Sequence, residues 1–277
     1  MKGRVCLVTG ATSGVGFETA LGVARQGATV VIVSRSDERC RAAVERITAE
    51  TGNQKVSAFV ADLAALSEIR RVASDIAERH PRVHVLVNNV GGLFLNGQVS
   101  PDGIEMTLAL NHLGVYLLTR LLLPVIAAGG PARIVNVSSV AHRGARIDFA
   151  DLQFSGWRGY KRSKLANILF TYALAERLRD AGVTVNALHP GLVNSNFGRN
   201  NSGPFAVVRP LVYALALNNE QGARTSIHLA CSPDVEGVTG QYFVRCRPRR
   251  SSNASYDRAA AARLWETSAR MTGLPAD

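Results

Sequence analysis

Short, continuously apolar runs rich in β-branched residues alternate along the chain with longer segments whose apolar positions recur at helical spacing. The runs predict strands over residues 4–9, 28–34, 55–61, 83–88, 132–138 and 183–188, with a seventh late in the chain at 241–245. The helical segments are 14–26, 37–51, 65–79, 102–127, 157–180, 221–231 and 257–271. Strands that are apolar at nearly every position must be covered on both faces, so the alternation predicts a parallel sheet built from βαβ units. No linker, internal repeat or low-complexity tract divides the 277 residues, and one domain over residues 1–277 is expected. The least patterned stretch, 194–219, mixes polar residues and glycines with an apolar run at 204–217. A segment of that length between a strand and a helix is usually functional.

Composition supports a compact soluble chain: 47% of residues are hydrophobic and 19% charged. The formal charge of +11 is nearly all arginine and mostly scattered, because Lys2, Lys55, Lys161 and Lys164 are the only lysines. The one cluster, RCRPRR, holds Arg245, Arg247, Arg249 and Arg250 without interleaved aromatics, so a solvated turn is expected there and no nucleic-acid partner. Cys6, Cys40, Cys231 and Cys246 form no CxxC pair or metal-ligand spacing. No metal site or disulfide framework is therefore expected, and a cytoplasmic location is. The first strand opens the sequence, so no signal peptide is expected. The longest apolar segment, 115–128, is interrupted by Thr119, Arg120 and Pro124 and is too short to span a bilayer, so no stable membrane insertion is expected.

Candidate chemistry begins where the first strand meets the first helix, in TGATSGVG. Glycines let the backbone turn sharply and approach a ligand, and a helix start offers free N–H groups to a phosphate. Gly10, Thr12, Ser13, Gly14, Val15 and Gly16 are thus candidate contacts for a pyrophosphate. Their spacing, Gly-x3-Gly-x-Gly, departs from the common GxGxxG. At the end of the second strand an NAD site places a carboxylate for the ribose 2′-hydroxyl, whereas a 2′-phosphate needs a cation. Ser34 and Arg35 stand there, with no carboxylate until Asp37, so NADP is the expected cofactor. The third strand ends at Asp62 and Leu63, and the fourth at Asn88, Asn89, Val90 and Gly91, all at carboxyl ends where such sheets bind ligands. Asp62 can accept from the adenine amino group and Asn89 can brace the strand end.

Tyr160 and Lys164 of YKRSK are four residues apart and share a helix face. A phenol near pKa 10 is a poor acid–base catalyst at neutral pH, but an adjacent ammonium favours its anionic form. Ser139 ends the fifth strand, with Ser138 as its rival for a hydroxyl role.

TGATSGVG, NNVGG, NHLG, VNVSS, YKRSK and HPG occur in this order over essentially the whole chain, which resembles the short-chain dehydrogenase/reductases. The stretches YKRSKLANILFTYALAERL, VTVNALHPGLV and GQYFVRC resemble the retinol-dehydrogenase-like branch. The resemblance implies an α/β fold, a single doubly wound Rossmann-type domain whose parallel seven-stranded sheet has order 3-2-1-4-5-6-7 and helices on both faces. It implies that Tyr160 is the acid and base, that Lys164 holds the nicotinamide ribose, and that Ser139 binds the substrate oxygen. Asn111 would complete the tetrad through a water relay behind Lys164. Pro190, Gly191 and Val193 would line the nicotinamide, Ser195 would hold its carboxamide, and 194–219 would form a substrate lid. His112, His142 and His189 are expected to be structural or polar lining. Val90, where the family usually has Ala, and Gly159 before Tyr160 depart from the pattern.

The implied reaction is hydride exchange between NADP(H) and a carbonyl or alcohol of a small molecule. Phe197, Phe205, Val207, Val208, Leu211, Tyr213 and Leu215 in the lid suggest a lipophilic or aromatic one. Two other readings share the motifs: a non-hydride enzyme of the same fold, such as a cyclase, dehydratase or epimerase, and a cofactor-sensing binding protein. The long helices pair between subunits in this family, so the resemblance also allows a homodimer.

Overall fold

The computed structural model describes residues 1–153, 155–193 and 216–276. Its strands are β1 Val5–Thr9, β2 Thr29–Ser34, β3 Val56–Val60, β4 Val85–Asn88, β5 Ala132–Val137, β6 Val183–His189, β7 Tyr242–Val244 and β8 Arg247–Pro248. They form one sheet in the order β3-β2-β1-β4-β5-β6-β7-β8. Pairing is parallel from β3 to β7 and antiparallel between β7 and β8. The expected seven-stranded order is therefore present with an eighth strand on its edge. β8 has only two residues, too few to leave a periodic trace, and it exists because Arg245 and Cys246 turn the chain with φ of 51° and 60°. All four arginines of this hairpin are exposed, as expected of a solvated turn.

The helices are α1 Gly14–Arg25, α2 Asp37–Thr51, α3 Leu66–Arg79, α4 Met106–Ala128, α5 Gly156–Arg177, α6 Asn219–Cys231 and α7 Arg258–Thr272. The central strands feed two cores at once, which is why they lack polar alternation. Cys6, Val8, Val30 and Ile32 meet Phe17 and Leu21 of α1, Ile47 of α2 and Leu229 of α6. Leu7, Val31, Val33 and Leu86 face the other way, toward Ile69 of α3, Leu117 and Leu122 of α4, and Phe170 of α5. Outside this layer, α7 packs on α5, with Trp265 and Ala269 in the same core.

Two details of α4 bear on the site. The helix expected from residue 102 begins at Met106, because Pro101, Asp102 and Gly103 make a turn in which Ser100 N donates to Ile104 O at 2.7 Å. Glu105 then caps the helix by accepting from Leu108 N at 2.9 Å. Further along, Ala109–Leu113 form a single π-helical turn. By length and composition α4 could cross a membrane, but 67% of its most apolar window is buried inside the fold.

Candidate active site

The carboxyl ends of β1, β2, β4, β5 and β6 open onto one crevice, with β1 between β2 and β4 at the point where the strand order reverses. After β1 the chain turns at Gly10 (φ 65°) and enters α1 through Gly14 (φ 61°), a left-handed backbone that glycine adopts without strain. Gly16 packs so tightly that a Cβ there would lie 2.5 Å from the Gly10 carbonyl oxygen and would collide with the Asn89 side-chain amide. A side chain at position 16 would therefore displace the β1–α1 turn from the helix start, whose free backbone N–H groups around Ser13, Gly14 and Val15 suit a pyrophosphate. Thr12 Oγ1 lies 3.4 Å from Ser34 Oγ, connecting this turn to the end of β2. Next to Ser34, Arg35 is exposed and makes no hydrogen bond or ion pair among the described residues.

Asn89 braces the turn as expected: its Nδ2 donates to Thr9 O at 2.9 Å and Gly10 O at 3.3 Å. Thr9, which sequence reasoning passed over, completes the clamp, its Oγ1 accepting from Asn89 N at 3.0 Å and Val90 N at 3.1 Å. Asn88 departs from its expected place. Its side chain is buried and donates to Thr119 Oγ1 and Asn136 Oδ1, both at 2.8 Å, so it braces the layer between β4, β5 and α4 rather than facing the crevice. Asp62 Oδ1 accepts from Ala64 N at 3.0 Å in a tight turn, and Leu63 is buried with its carbonyl against Gly114. Val90 packs its side chain toward the α3–α4 core, leaving Gly91 exposed at the strand end.

The two serines after β5 separate cleanly. Ser138 is 2% exposed and donates to Lys164 O at 2.7 Å, which pins the strand end to α5. Ser139 is half-buried at the crevice, its Oγ accepting from Ala141 N at 3.2 Å. Lys164 is 4% exposed and donates from Nζ to Val137 O at 3.1 Å, so one of its three protons is fixed and two remain for a ligand. Burial pushes its ammonium down to about 8. Nζ sits 5.7 Å from the Tyr160 ring centroid, and Tyr160 is itself 7% exposed.

Asn111 sits in the π-helical turn of α4. It exchanges two hydrogen bonds with Gly92, Oδ1 accepting from N at 2.8 Å and Nδ2 donating to O at 2.9 Å, and Nδ2 also meets Ser163 Oγ at 3.0 Å. A Cβ on Gly91 would lie 3.2 Å from Lys164 Nζ and 3.3 Å from Asn111 Oδ1, which places both groups beside Gly91 at the strand end. Ser163, three residues after Tyr160, links Asn111 to Tyr160 O at 2.8 Å; its place in YKRSK was the signal for it.

Opposite lies the end of β6. Pro190 and Gly191 are half-buried, Gly191 with φ 99°, and Val193 is buried and bridges Leu217. A Cβ on Gly222 of α6 would run into Val193 and Val15, so this segment closes against the first helix. Ser195 and the apolar residues expected to line a lid lie outside the described residues.

The histidines carry structural work. His112 is buried between α4, α5 and α7, with Nε2 2.8 Å from Ser268 Oγ, and burial pushes its pKa down to about 4. His142 Nδ1 lies 2.6 Å from Ser139 O, and its Nε2 is 3.0 Å from Ser252 N. A carbonyl only accepts and a backbone N–H only donates, so both bonds form only in the neutral Nδ1–H tautomer. Burial lowers the His142 pKa in the same sense. His142 thereby ties the backbone of Ser139 to the C-terminal segment, a contact no motif announced. His189 accepts from Gly191 N at 3.4 Å and is pushed down to about 4 by burial, with His142 and Arg143 adding to it. Among the described residues no cluster of three potential metal ligands occurs.

Comparison with known proteins accords with this geometry. The sequence model of the short chain dehydrogenase family matches residues 4–203. Retinol dehydrogenase 13 of Homo sapiens is 40% identical over 286 residues, covering 100% of this chain and 86% of that protein. Retinol dehydrogenase 11 of Mus musculus is 38% identical, over 100% and 89% of the two chains. Among solved structures, an uncharacterized protein from Mycobacterium paratuberculosis superposes with a TM-score of 0.79 at 30% identity, covering 100% of this chain and 96% of its own. The Pseudomonas aeruginosa RhlG/NADP active-site complex gives 0.71 at 27% identity, covering 93% and 97%.

Proposed function

This chain belongs to the short chain dehydrogenase family, within its retinol-dehydrogenase-like branch, and from that premise we propose that it is an NADP(H)-dependent oxidoreductase acting on a lipophilic carbonyl or alcohol. The observation that carries the reading is the convergence of Tyr160, Lys164 and Ser139 beside a glycine cradle on one crevice. When bound, the nicotinamide supplies a hydride to the carbonyl carbon in reduction or takes one from the alcohol carbon in oxidation. Gly10, Gly14 and Gly16 shape the turn whose helix-start N–H groups would hold the pyrophosphate, and Lys164 has two protons to give to ribose hydroxyls. In reduction the Tyr160 hydroxyl gives its proton to the substrate oxygen, and in oxidation the phenolate takes it back. The Ser139 hydroxyl donates to that oxygen as charge grows on it. The Lys164 ammonium favours the phenolate electrostatically.

NADP over NAD is supported by Arg35, an exposed guanidinium with no partner among the described residues, beside the crevice at the end of β2. An apolar substrate is supported by Val140, Trp157 and Leu192, three of the six large apolar side chains exposed among the described residues, which adjoin Ser139, Tyr160 and Gly191. The test is nicotinamide absorbance with NADPH and a panel of aldehydes, in wild type and Arg35→Ala. The variant should bind NADPH about 10- to 100-fold more weakly, the worth of charge-assisted hydrogen bonds, with NADH affected far less. Equal losses for the two cofactors would remove the basis for NADP.

A further inference from the structure

Ser139 leaves β5 with extended backbone and caps the short turn Val140–His142. Its Oγ accepts from Ala141 N at 3.2 Å, which leaves the hydroxyl proton free to donate into the crevice. Its carbonyl takes two bonds from a single residue, His142, whose N lies 3.2 Å away and whose Nδ1 lies 2.6 Å away. The shorter of the two comes from a side chain with no exposure to solvent.

His142 is itself held by segments far away in sequence. Its Nε2 accepts from Ser252 N at 3.0 Å, and its ring meets that of Tyr242 on β7 edge-on, with centroids 5.1 Å apart. Ser252 stands in a stretch fastened to α5. Ser251 Oγ lies 2.8 Å from Tyr172 Oη and 2.6 Å from Ser255 Oγ, and Ser255 Oγ donates to Ser252 O at 2.6 Å. Ser251 and Ser255 are buried, and the rings of Tyr172 and Tyr256 stack at 5.4 Å. Tyr172 belongs to the helix that carries Tyr160 and Lys164. A continuous tie therefore runs from α5 through residues 251–252 and His142 to Ser139, the residue whose hydroxyl must meet the same substrate oxygen as Tyr160. A donor to growing negative charge has its full effect only when it is in place before the reaction.

We propose that His142 is a positioning residue for the reaction, its Nδ1–H holding the Ser139 carbonyl against the C-terminal segment so that the Ser139 hydroxyl stays aimed at the substrate oxygen. The inference rests on the hydride-transfer reading, in which Ser139 donates to that oxygen, and adds a residue that acts through Ser139.

Two variants of similar size isolate the bond. His142→Asn keeps an N–H donor at the place of Nδ1 and loses the acceptor for Ser252, whereas His142→Leu loses both. With NADPH and cinnamaldehyde, kcat should fall about tenfold in His142→Leu, inside the roughly 100-fold that a misplacement of about 1 Å costs, and stay within about threefold in His142→Asn. In a Ser139→Ala background the same two changes should move kcat by less than about twofold, because the group they position is gone. Equal losses in both backgrounds, or a His142→Asn variant as slow as His142→Leu, would make His142 a support of the fold and overturn the proposal. Should His142→Leu fail to fold, Ser252→Pro cuts the tie from its other end. Ser252 has φ −71°, which proline shares, and its buried hydroxyl has no hydrogen-bond partner among the described residues, so the change removes little besides the N–H. It should lower kcat about threefold with Ser139 in place and leave the Ser139→Ala rate unchanged, and the same loss in both backgrounds would overturn the proposal. Amide exchange at Ala141, whose N–H rests on Ser139 Oγ, needs no turnover and should be about tenfold faster in His142→Leu than in His142→Asn. Equal exchange would overturn the proposal. Faster exchange in a protein that oxidises NADPH with no aldehyde of the panel would sustain the hold of His142 on Ser139 and defeat the hydride-transfer reading.

Discussion

Ser138→Ala and Ser139→Ala remove the same atom from adjacent residues and should differ sharply in rate while costing similar stability. Ser138 Oγ is buried and donates to Lys164 O at 2.7 Å, so its loss removes one interior hydrogen bond, about 1–2 kcal/mol of stability. In a chain of this size that lowers Tm by a few degrees, at about 2–4 °C per kcal/mol. Ser139 Oγ accepts from Ala141 N at the rim of the crevice, and losing this small cap costs about 1 kcal/mol. The rates should separate the two. Ser139→Ala deletes a donor to the developing negative oxygen, worth about 100- to 1,000-fold, or about 2.7–4 kcal/mol of barrier. Ser138→Ala keeps that donor and should stay within about threefold, the shift left by a small movement of α5. Thermal melts and steady-state kinetics with NADPH and cinnamaldehyde read both quantities. If Ser138→Ala proves the slower enzyme, the assignment of the two hydroxyls is wrong.

Gly16→Ala should weaken NADPH binding by tenfold or more and lower Tm, since the added methyl would stand 2.5 Å from Gly10 O and must push the phosphate turn outward, an overpacking cost of about 1–3 kcal/mol; cofactor titration followed by fluorescence measures it, and wild-type affinity would show that the cradle is not the phosphate site. His112 has a native pKa of about 4 against 6.5 for a free imidazole, so the unfolded chain takes up a proton first as pH falls. Stability therefore rises with pH between about 4 and 6.5, and acidification to pH 4 should cost about 3 kcal/mol through this residue. Urea melts of wild type and His112→Asn across that range should show the slope flattening in the variant, while parallel slopes would mean that His112 is protonated in the native state.

The sheet was legible because β1, β4 and the middle of β2 are almost continuously apolar, and only burial on both faces makes such runs stable. The helix that carries the proposed acid–base pair was legible because Tyr160 and Lys164 fall one turn apart. Less visible were features made by short-range turn chemistry or by the meeting of distant segments. The turn at Pro101–Gly103 hides inside an otherwise helical pattern, and β8 is set by two left-handed residues, Arg245 and Cys246, that no apolar period marks. Asn88 looked like a ligand contact because it sits at a strand end beside Asn89. Strand alternation sends the two side chains opposite ways, Asn89 to the turn between β1 and α1 and Asn88 into the interior. Thr9 and His142 were equally hidden: each acts on backbone groups that the fold brings from about 80 and 110 residues away.

The central claim, that this crevice performs hydride transfer with Tyr160 as its acid and base, is tested most directly by Tyr160→Phe. With NADPH and cinnamaldehyde, kcat should fall by about 100- to 10,000-fold, the range for removing a positioned acid–base group, while the Kd for NADPH stays within about twofold because the glycine cradle and Arg35 are untouched. A Tyr160→Phe variant that oxidises NADPH at the wild-type rate would contradict the account.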